Sequence, residues 1–189
     1  PIYGYSFAPD SVYEAVVERV QRRFNWYIKK EWIVFTGGVI DGLYSAMHAF
    51  TTPGDEVILQ PPVYYPFYDI IKNSGAQVLH NPLLVDGGTY RMDVEGLKAL
   101  FAPKFTFPAR SPRVKAMLLC SPHNPVGRVW SKDELAELAD ICVQNDCLIL
   151  SDEIHCDLLS PGVRHTITAS LSEEIADRTI TFMAASKTF

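Results

Sequence analysis

Apolar residues along the chain follow two alternating patterns. Short apolar runs, typical of strands buried in a sheet, lie at residues 32–35, 56–60, 77–81, 114–120, 147–150 and 179–183. Between them, apolar residues recur three and four positions apart, which predicts helices near residues 11–24, 39–47, 67–74, 94–101 and 131–144. Strand and helix alternate at intervals of about 25 residues, which predicts a three-layer αβα fold with a mostly parallel sheet.

Two helix starts carry the signature of a capping box, in which a serine and a glutamate three positions later bond each other's backbone. Ser11 with Glu14 predicts the start of the first helix, and Ser131 with Glu134 that of the last. The segment at residues 86–88, Asp-Gly-Gly, predicts a turn.

Polar residues follow the last two predicted strands at the point where each strand ends. Asp152 and His155 come after the run at 147–150, and Lys187 comes after the run at 179–183. Because the carboxyl ends of parallel strands face one crevice, we expect these side chains to lie together. A carboxylate and an amine so placed suit pyridoxal 5'-phosphate (PLP), whose aldehyde bonds a lysine and whose ring nitrogen faces an acid.

Each of these residues alone has a simpler interpretation. An aspartate after a strand is usually a cap or a surface charge, a lysine is usually solvated, and a single histidine is more often structural than catalytic. The PLP hypothesis therefore depends on further residues at the same edge of the sheet.

Three earlier loops supply such residues. Gly38 ends a Gly-Gly turn that opens a helix, an arrangement that can bind phosphate, although a plain turn explains it equally well. Tyr64 follows the run at 56–60 and could stack on a flat cofactor, with core packing as the alternative. Asn124 lies in a rigid loop after the run at 114–120 and could donate a hydrogen bond to the cofactor's phenolic oxygen.

Composition excludes several other classes of protein. The 189 residues carry a net charge of -5, without the basic stripe of a nucleic-acid-binding surface. No apolar run approaches the roughly 20 residues of a membrane span. The four cysteines lack zinc or disulfide spacing, which predicts free thiols, no metal site and a cytoplasmic location. The proline-rich, basic segment at residues 102–113 is interpreted as a solvated surface loop.

Three segments in order carry a family resemblance. They are Ser-Pro-His-Asn-Pro-Val-Gly-Arg-Val-Trp at 121–130, Ser-Asp-Glu-Ile-His at 151–155, and Ser-Lys-Thr-Phe at 186–189. The chain resembles the large domain of fold-type I PLP enzymes of the aminotransferase class I/II superfamily. Within it, the three segments resemble the MalY/PatB group of cystathionine β-lyase-like C–S lyases, and the resemblance covers essentially the whole chain.

The resemblance implies roles for the residues around the cofactor ring. Lys187 matches the lysine that bonds PLP covalently, and Asp152 matches the carboxylate that keeps the ring nitrogen protonated. Asn124 matches the residue that bonds the phenolic oxygen, with His155 near it. Tyr64 matches the aromatic residue that stacks on the ring.

The resemblance also implies the contacts to the cofactor's phosphate. Gly38 and Val39 match backbone donors to this group. The family often has a serine three positions before the lysine, where this chain has Ala184, and Ser186 is the candidate to replace that contact.

The family forms homodimers, and the resemblance implies the same for the full-length protein. Tyr5 matches a tyrosine that reaches the partner's cofactor phosphate, although the nearby Tyr3 could take this place. Residues 1–189 then form a PLP-binding large domain, of which 1–9 are a segment of the N-terminal arm. The C-terminal small domain, with the arginine that holds the substrate carboxylate, is expected to be missing, which would leave this piece alone inactive.

The expected activity is cleavage of the Cβ–S bond of a small sulfur amino acid to a thiol, pyruvate and ammonia. The residues present serve aminotransfer equally well, so an aminotransferase is the alternative, and the preference for the lyase comes from the subgroup resemblance. A regulatory binding role of the same fold is a second alternative.

Overall fold

The computed structural model describes residues 7–102 and 113–189. The chain divides into two compact units, Pro1–Phe35 and Thr36–Phe189. The α-helices in the described ranges are α1 (Asp10–Phe24), α2 (Val39–Phe50), α3 (Pro66–Asn73), α4 (Val94–Leu100), α5 (Lys132–Gln144) and α6 (Glu173–Ala176). The strands are β1 (Glu56–Leu59), β2 (Gln77–His80), β3 (Leu84–Asp86), β4 (Thr89–Arg91), β5 (Val114–Cys120), β6 (Leu148–Asp152) and β7 (Thr179–Phe182).

The first unit holds α1 and a 3₁₀ turn at Lys30–Trp32. The capping box predicted at Ser11 is wrong, because the helix already begins at Asp10 and Pro9 occupies the cap position without a side-chain bond. The strand predicted at 32–35 is also wrong. The 3₁₀ turn ends at Trp32, and the apolar residues after it pair with no strand among the described residues and are largely exposed, Val34 to 82%.

The second unit is built on a five-stranded sheet in the order β2-β1-β5-β6-β7. Every pair of neighbouring strands in this sheet is parallel. The central strands β1, β5 and β6 were predicted from their apolar runs, because parallel strands covered on both faces read as nearly continuous hydrophobic segments. The edge strand β7 is half-buried rather than fully buried as expected, since it has one strand neighbour instead of two.

Two hydrophobic clusters lie on opposite faces of this sheet. Val57 and Leu118 point to the face covered by α2 and α3, whereas Ile58 and Met117 point to the face covered by α4 and α5. The alternation follows from the two-residue period of a strand. The predicted αβα layering is confirmed.

Two local sequence signals, a capping box and a turn, predicted the backbone structure correctly. The Ser131–Glu134 capping box is present with both of its hydrogen bonds. The turn predicted at 86–88 joins the antiparallel pair β3 and β4, whose strands were missed because each has three residues and little burial.

Strands β1 and β5 are neighbours whose following helices cover opposite faces of the sheet, α3 with α2 on one side and α5 with α4 on the other. The two connections after these strands therefore diverge, which opens a crevice at the carboxyl ends. Such a topological switch point is where ligands bind in open α/β sheets.

Some expectations fall outside the described ranges, namely those for Tyr3, Tyr5 and most of the loop at 102–113. Within the described part of the chain, no helix combines the length and the apolar character that crossing a membrane requires.

Candidate functional site

A cavity of about 270 Å³ lies at the carboxyl ends of the central strands. It is called the cleft below. Seven of the nine residues predicted for the site line it: Gly38, Val39, Tyr64, Asn124, Asp152, His155 and Lys187. Of the other two, Ser186 is exposed and is not one of the lining residues, and Tyr5 is outside the described ranges.

Asp152 ends β6, in register with Cys120 on β5 and Phe182 on β7. Its side chain is buried, and Oδ1 accepts a hydrogen bond of 3.1 Å from the backbone N–H of Ile154. Burial raises the pKa of this carboxyl to about 6, and the charge of Glu153 adds to the rise. No cation pairs with Asp152 among the described residues, so the carboxylate is a buried anion facing the cleft without a counter-ion.

Lys187 and His155 lie together at the rim of the cleft. Lys187 is exposed on a 3₁₀ turn, Ala185–Lys187, which follows β7. His155 is half-buried, and burial lowers its pKa, to which the nearby Lys187 charge contributes. Thr188 Oγ1 donates to Asp157 Oδ2 at 3.0 Å and ties the lysine turn to the segment after β6. The neutral imidazole and the amine thus share one side of the cleft.

The N-terminus of α2 supplies the next wall of the cleft through Gly38 and Val39. The first N–H groups of a helix have no intrahelical partner and can donate to an anion. A Cβ built on Gly38 would meet no atom within 4 Å, so the approach to the backbone at this point is open. Asp41, in the first turn of α2, also lines the cleft, and its Oδ2 lies where a Cβ on Gly37 would collide.

Tyr64 and Asn124 lie on the two diverging connections of the switch point. The Tyr64 ring packs edge-on against Phe67, with centroids 5.6 Å apart at 88°, and it also lines the cleft. The core-packing and cofactor-facing interpretations of this tyrosine are therefore compatible. The backbone N–H of Asn124 donates to Cys120 Sγ at 3.3 Å, which holds the start of its loop against β5.

Sequence reasoning missed the two titratable residues Cys120 and Asp41 among the residues that line the cleft. Cys120 was read only as part of an apolar strand, yet its register with Asp152 would have placed it at the same edge. Burial, and then the charge of Asp152, raises the pKa of the Cys120 thiol to about 12. Asp41 was missed because its helix was read only for its apolar face.

A buried polar network behind Asp152 was missed as well. Glu153 accepts hydrogen bonds from Ser151 Oγ (2.8 Å) and the backbone N–H of Thr168 (3.1 Å), and lies 2.6 Å from His165 Nε2. Its own backbone N–H donates to the carbonyl of Phe182. The carboxyl ends of β6 and β7 are thereby fixed to each other and to the 165–168 segment.

The comparisons with known proteins agree with this geometry. A family model described as aminotransferase class I and II matches residues 2–189. The chain belongs to this family. The chain is 42% identical over 188 residues to cystathionine beta-lyase PatB of Bacillus subtilis, and the match covers 100% of this chain and 46% of that relative.

Two further similarities are to a transaminase and to a solved structure that contains PLP. The chain is 36% identical over 159 residues to kynurenine–oxoglutarate transaminase 3 of Rattus norvegicus, covering 84% of this chain and 35% of that relative. Among solved structures, cystalysin from Treponema denticola, which contains a pyridoxal 5'-phosphate cofactor, matches with a TM-score of 0.92 and 42% identity over 100% of this chain and 46% of that one.

The predicted family resemblance is confirmed by these matches, and so is the predicted fold. The chain spans about half the length of the relatives that it matches.

Proposed function

We propose that the protein that carries this chain is a PLP-dependent C–S β-lyase and that residues 1–189 are its cofactor-binding large domain. The observation that carries the proposal is the cleft itself. It brings a buried carboxylate, an amine and a helix N-terminus into one cavity of about 270 Å³. PatB, a cystathionine beta-lyase at 42% identity, supports the lyase activity. Cystalysin, whose structure contains PLP and which is also 42% identical, supports the cofactor.

The residues of the cleft fit PLP on four independent features. The Asp152 carboxylate is buried, has no cationic partner in residues 7–102 and 113–189, and suits a protonated ring nitrogen. The N-terminus of α2 at Gly38 and Val39 suits a phosphate dianion. The Tyr64 ring suits a flat aromatic system, and the Asn124 side chain suits a phenolic oxygen.

When bound, PLP supplies an electron sink that stabilises negative charge at the substrate's α-carbon. Asp152 holds the proton on the ring nitrogen. Its pKa of about 6 leaves the carboxylate mostly ionised at pH 7, and a cationic partner favours this form further. We assign Lys187 Nζ, at the exposed rim, to the covalent attachment of the cofactor and to removal of the substrate's α-proton. Burial keeps His155 neutral beside it, so His155 adds no second positive charge.

Loss of the sulfur substituent from Cβ, followed by hydrolysis, gives a thiol, pyruvate and ammonia. An aminotransferase is the second candidate, because the cleft residues serve both reactions and the rat transaminase is a relative at 36% identity. Nothing in the described residues favours the regulatory alternative over either enzyme.

The deciding experiment incubates the purified protein that carries this chain with cystathionine, with and without a 2-oxo acid. We expect thiol and pyruvate to appear at the same rate in both samples. Turnover that depends on the 2-oxo acid and yields the matching amino acid would instead assign the aminotransferase. A matched Lys187→Arg variant controls for contaminating activity, because it keeps the charge and loses the attachment point.

The cytoplasmic location and the homodimer also belong to this proposal. The four buried free cysteines support a reducing compartment. Large apolar side chains exposed in the first unit support a dimer, since surfaces of this kind mark protein–protein contacts. The proposed role of Tyr5 at a partner's phosphate can be tested by measuring PLP affinity in a Tyr5→Phe variant, with Tyr3→Phe as its control.

A further inference from the structure

The crevice between β1 and β5 is bordered by two loops that the fold pulls apart. The β1 loop (residues 60–65) leads into α3 on one face of the sheet, and the β5 loop (residues 121–127) leads towards α5 on the other. The β1 loop carries Tyr64 and the β5 loop carries Asn124, which line the cleft from its two sides. The distance between these two side chains depends on what holds the loops together.

His123 joins the two loops directly. Its Nε2 lies 3.0 Å from the carbonyl oxygen of Pro62, a residue 61 positions earlier in the chain. Pro62 is two residues from Tyr64, and His123 immediately precedes Asn124. The contact therefore crosses the switch point within two residues of both cleft side chains.

The imidazole is itself held firmly. It is 2% exposed, and its ring meets Trp130 edge-on with centroids 5.5 Å apart at 78°. Trp130 Nε1 donates to the carbonyl of Cys120 at the end of β5 (3.0 Å), which anchors the indole to the strand. The His123 backbone donates to the Arg128 carbonyl (2.7 Å) and accepts from the N–H of Gly127 (2.8 Å). A side chain fixed on this many sides can transmit position from one loop to the other.

The chemistry of the contact fixes the tautomer of the ring. Burial lowers the pKa of His123, which leaves the imidazole neutral at pH 7. A carbonyl oxygen can only accept, so Nε2 carries the hydrogen and Nδ1 carries the lone pair. Nδ1 has no hydrogen-bond partner among the described residues. Besides its packing against Trp130, this side chain therefore contributes one N–H donor aimed across the crevice.

We propose that His123 is a positioning residue that sets the spacing between Tyr64 and Asn124 by tying the β5 loop to the β1 loop. This inference rests on the proposed function, in which Tyr64 contacts the ring face of PLP and Asn124 contacts its phenolic oxygen. Without the tie, each loop follows its own helix and the pair no longer fits one flat ring.

The test separates the N–H donor from the ring that carries it. His123→Phe keeps an aromatic ring against Trp130 and removes the donor, whereas His123→Gln keeps a donor of similar reach and removes the ring. PLP affinity of the protein that carries this chain is measured by titration of absorbance and fluorescence. We expect His123→Phe to weaken PLP binding about tenfold, the order that one buried hydrogen bond is worth, and His123→Gln to stay within about threefold of wild type.

A matched control removes a comparable bond away from the cleft. Thr179→Val deletes the 2.7 Å bond from Thr179 Oγ1 to the Ile175 carbonyl at the amino end of β7. This variant should lose stability without losing PLP affinity. If His123→Phe fails to fold, His123→Met replaces it, since methionine matches glutamine in length and lacks the donor.

A double-mutant cycle shows whether His123 acts through its neighbour. In an Asn124→Ala background, the penalty of His123→Phe on PLP affinity should shrink, because the contact that His123 positions is already gone. Equal losses in the Phe and Gln variants, or a full penalty in the Asn124→Ala background, would overturn the inference while leaving the proposed function intact. Failure of the wild-type protein to bind PLP would overturn the proposed function, and this inference with it.

Discussion

Asp152 shows how a single buried residue can be favourable for function and unfavourable for stability. Its pKa rises from the ordinary 3.8 to about 6, so the fold disfavours the ionised carboxylate. Because the folded state holds this proton more tightly than the unfolded chain does, the contribution of Asp152 to stability is most favourable below about pH 4. It falls as the pH rises from about 4 to about 6, and a difference of this size amounts to about 3 kcal/mol.

Asp152→Asn should therefore stabilise the cofactor-free protein at pH 7. Asparagine keeps the shape and can still accept the N–H of Ile154, but it carries no charge to desolvate. Urea unfolding without PLP should show a gain of up to about 3 kcal/mol at pH 7 that disappears below pH 4. The exposed Asp140 provides a control, Asp140→Asn, with no such gain. An Asp152→Asn protein that is no more stable than wild type at pH 7 would contradict the account, and the same variant should bind PLP more weakly.

Lys187 is expected to be the covalent attachment point of PLP, and its place on an exposed turn makes this a clean test. Lys187→Ala should abolish the visible absorbance of the bound cofactor at neutral pH while leaving the fold unchanged, because the lysine is exposed and packs in no core. Circular dichroism checks the fold, and absorbance after gel filtration checks the cofactor. Lys132→Ala, at the start of α5, is the matched control. Visible absorbance that survives in the Lys187→Ala protein would refute the assignment.

At the level of elements, the hydrophobic pattern predicted the strands that are buried in the sheet. The central strands β1, β5 and β6 were found because a strand covered on both faces is largely apolar, whereas the edge strands β2 and β7 also carry polar residues and are less buried. The segment at 32–35 is also apolar, yet it forms no strand in the described chain. The prediction failed here because an apolar run alone does not show whether a neighbouring strand is available for pairing. The pair β3 and β4 was missed for the opposite reason, since its strands are short and largely exposed.

The candidate site was predictable to the extent that it follows from strand ends. Parallel strands bring Asn124, Asp152 and Lys187 to one edge whatever the details of packing. The Glu153–His165 contact could not be read from the sequence, because the two residues are 12 positions apart with an irregular segment between them. The tie from His123 to Pro62 spans 61 positions and needs the strand order before it can be recognised.

The N-terminus of α2, where we expect the cofactor phosphate to bind, also carries the carboxylate of Asp41. Asp41 lies in the first turn, where a carboxylate interacts favourably with the helix dipole, and it lines the cleft beside Gly38. A phosphate at the same helix end would meet this charge. Asp41→Asn should therefore cost about 0.3–1 kcal/mol of stability without PLP, yet tighten PLP binding by roughly two- to tenfold.

Two comparisons isolate this effect. Pyridoxal, which lacks the phosphate, should bind wild type and Asp41→Asn equally well. Asp69→Asn removes an acidic residue from the first turn of α3, which is not part of the cleft lining, and should leave PLP affinity unchanged. Weaker PLP binding by Asp41→Asn would show instead that the carboxylate supports the site.

At the scale of the whole molecule, the first unit presents apolar surface that its own residues do not cover. Tyr27, Trp32, Val34 and Phe35 are exposed to 66%, 58%, 82% and 50%. Single exposed apolar residues are ordinary, but four within nine positions form a concentration that water disfavours and that commonly marks a protein contact. In the proposed homodimer, this segment is the part of the described chain that we expect a second copy to cover.

The prediction is that charge placed in this segment weakens the dimer. Val34→Asp in the protein that carries this chain should shift the molecular mass measured by light scattering from dimer towards monomer, because a carboxylate buried in an apolar contact loses its hydration. The control is Val85→Asp on the hairpin strand β3, where valine is 65% exposed and the substitution is chemically identical. Since a partner's tyrosine is expected to reach the cofactor phosphate, loss of the dimer should also weaken PLP binding. A wild-type protein that is monomeric with PLP fully bound would remove the dimer from the proposal and leave the cleft of one chain as the complete cofactor site.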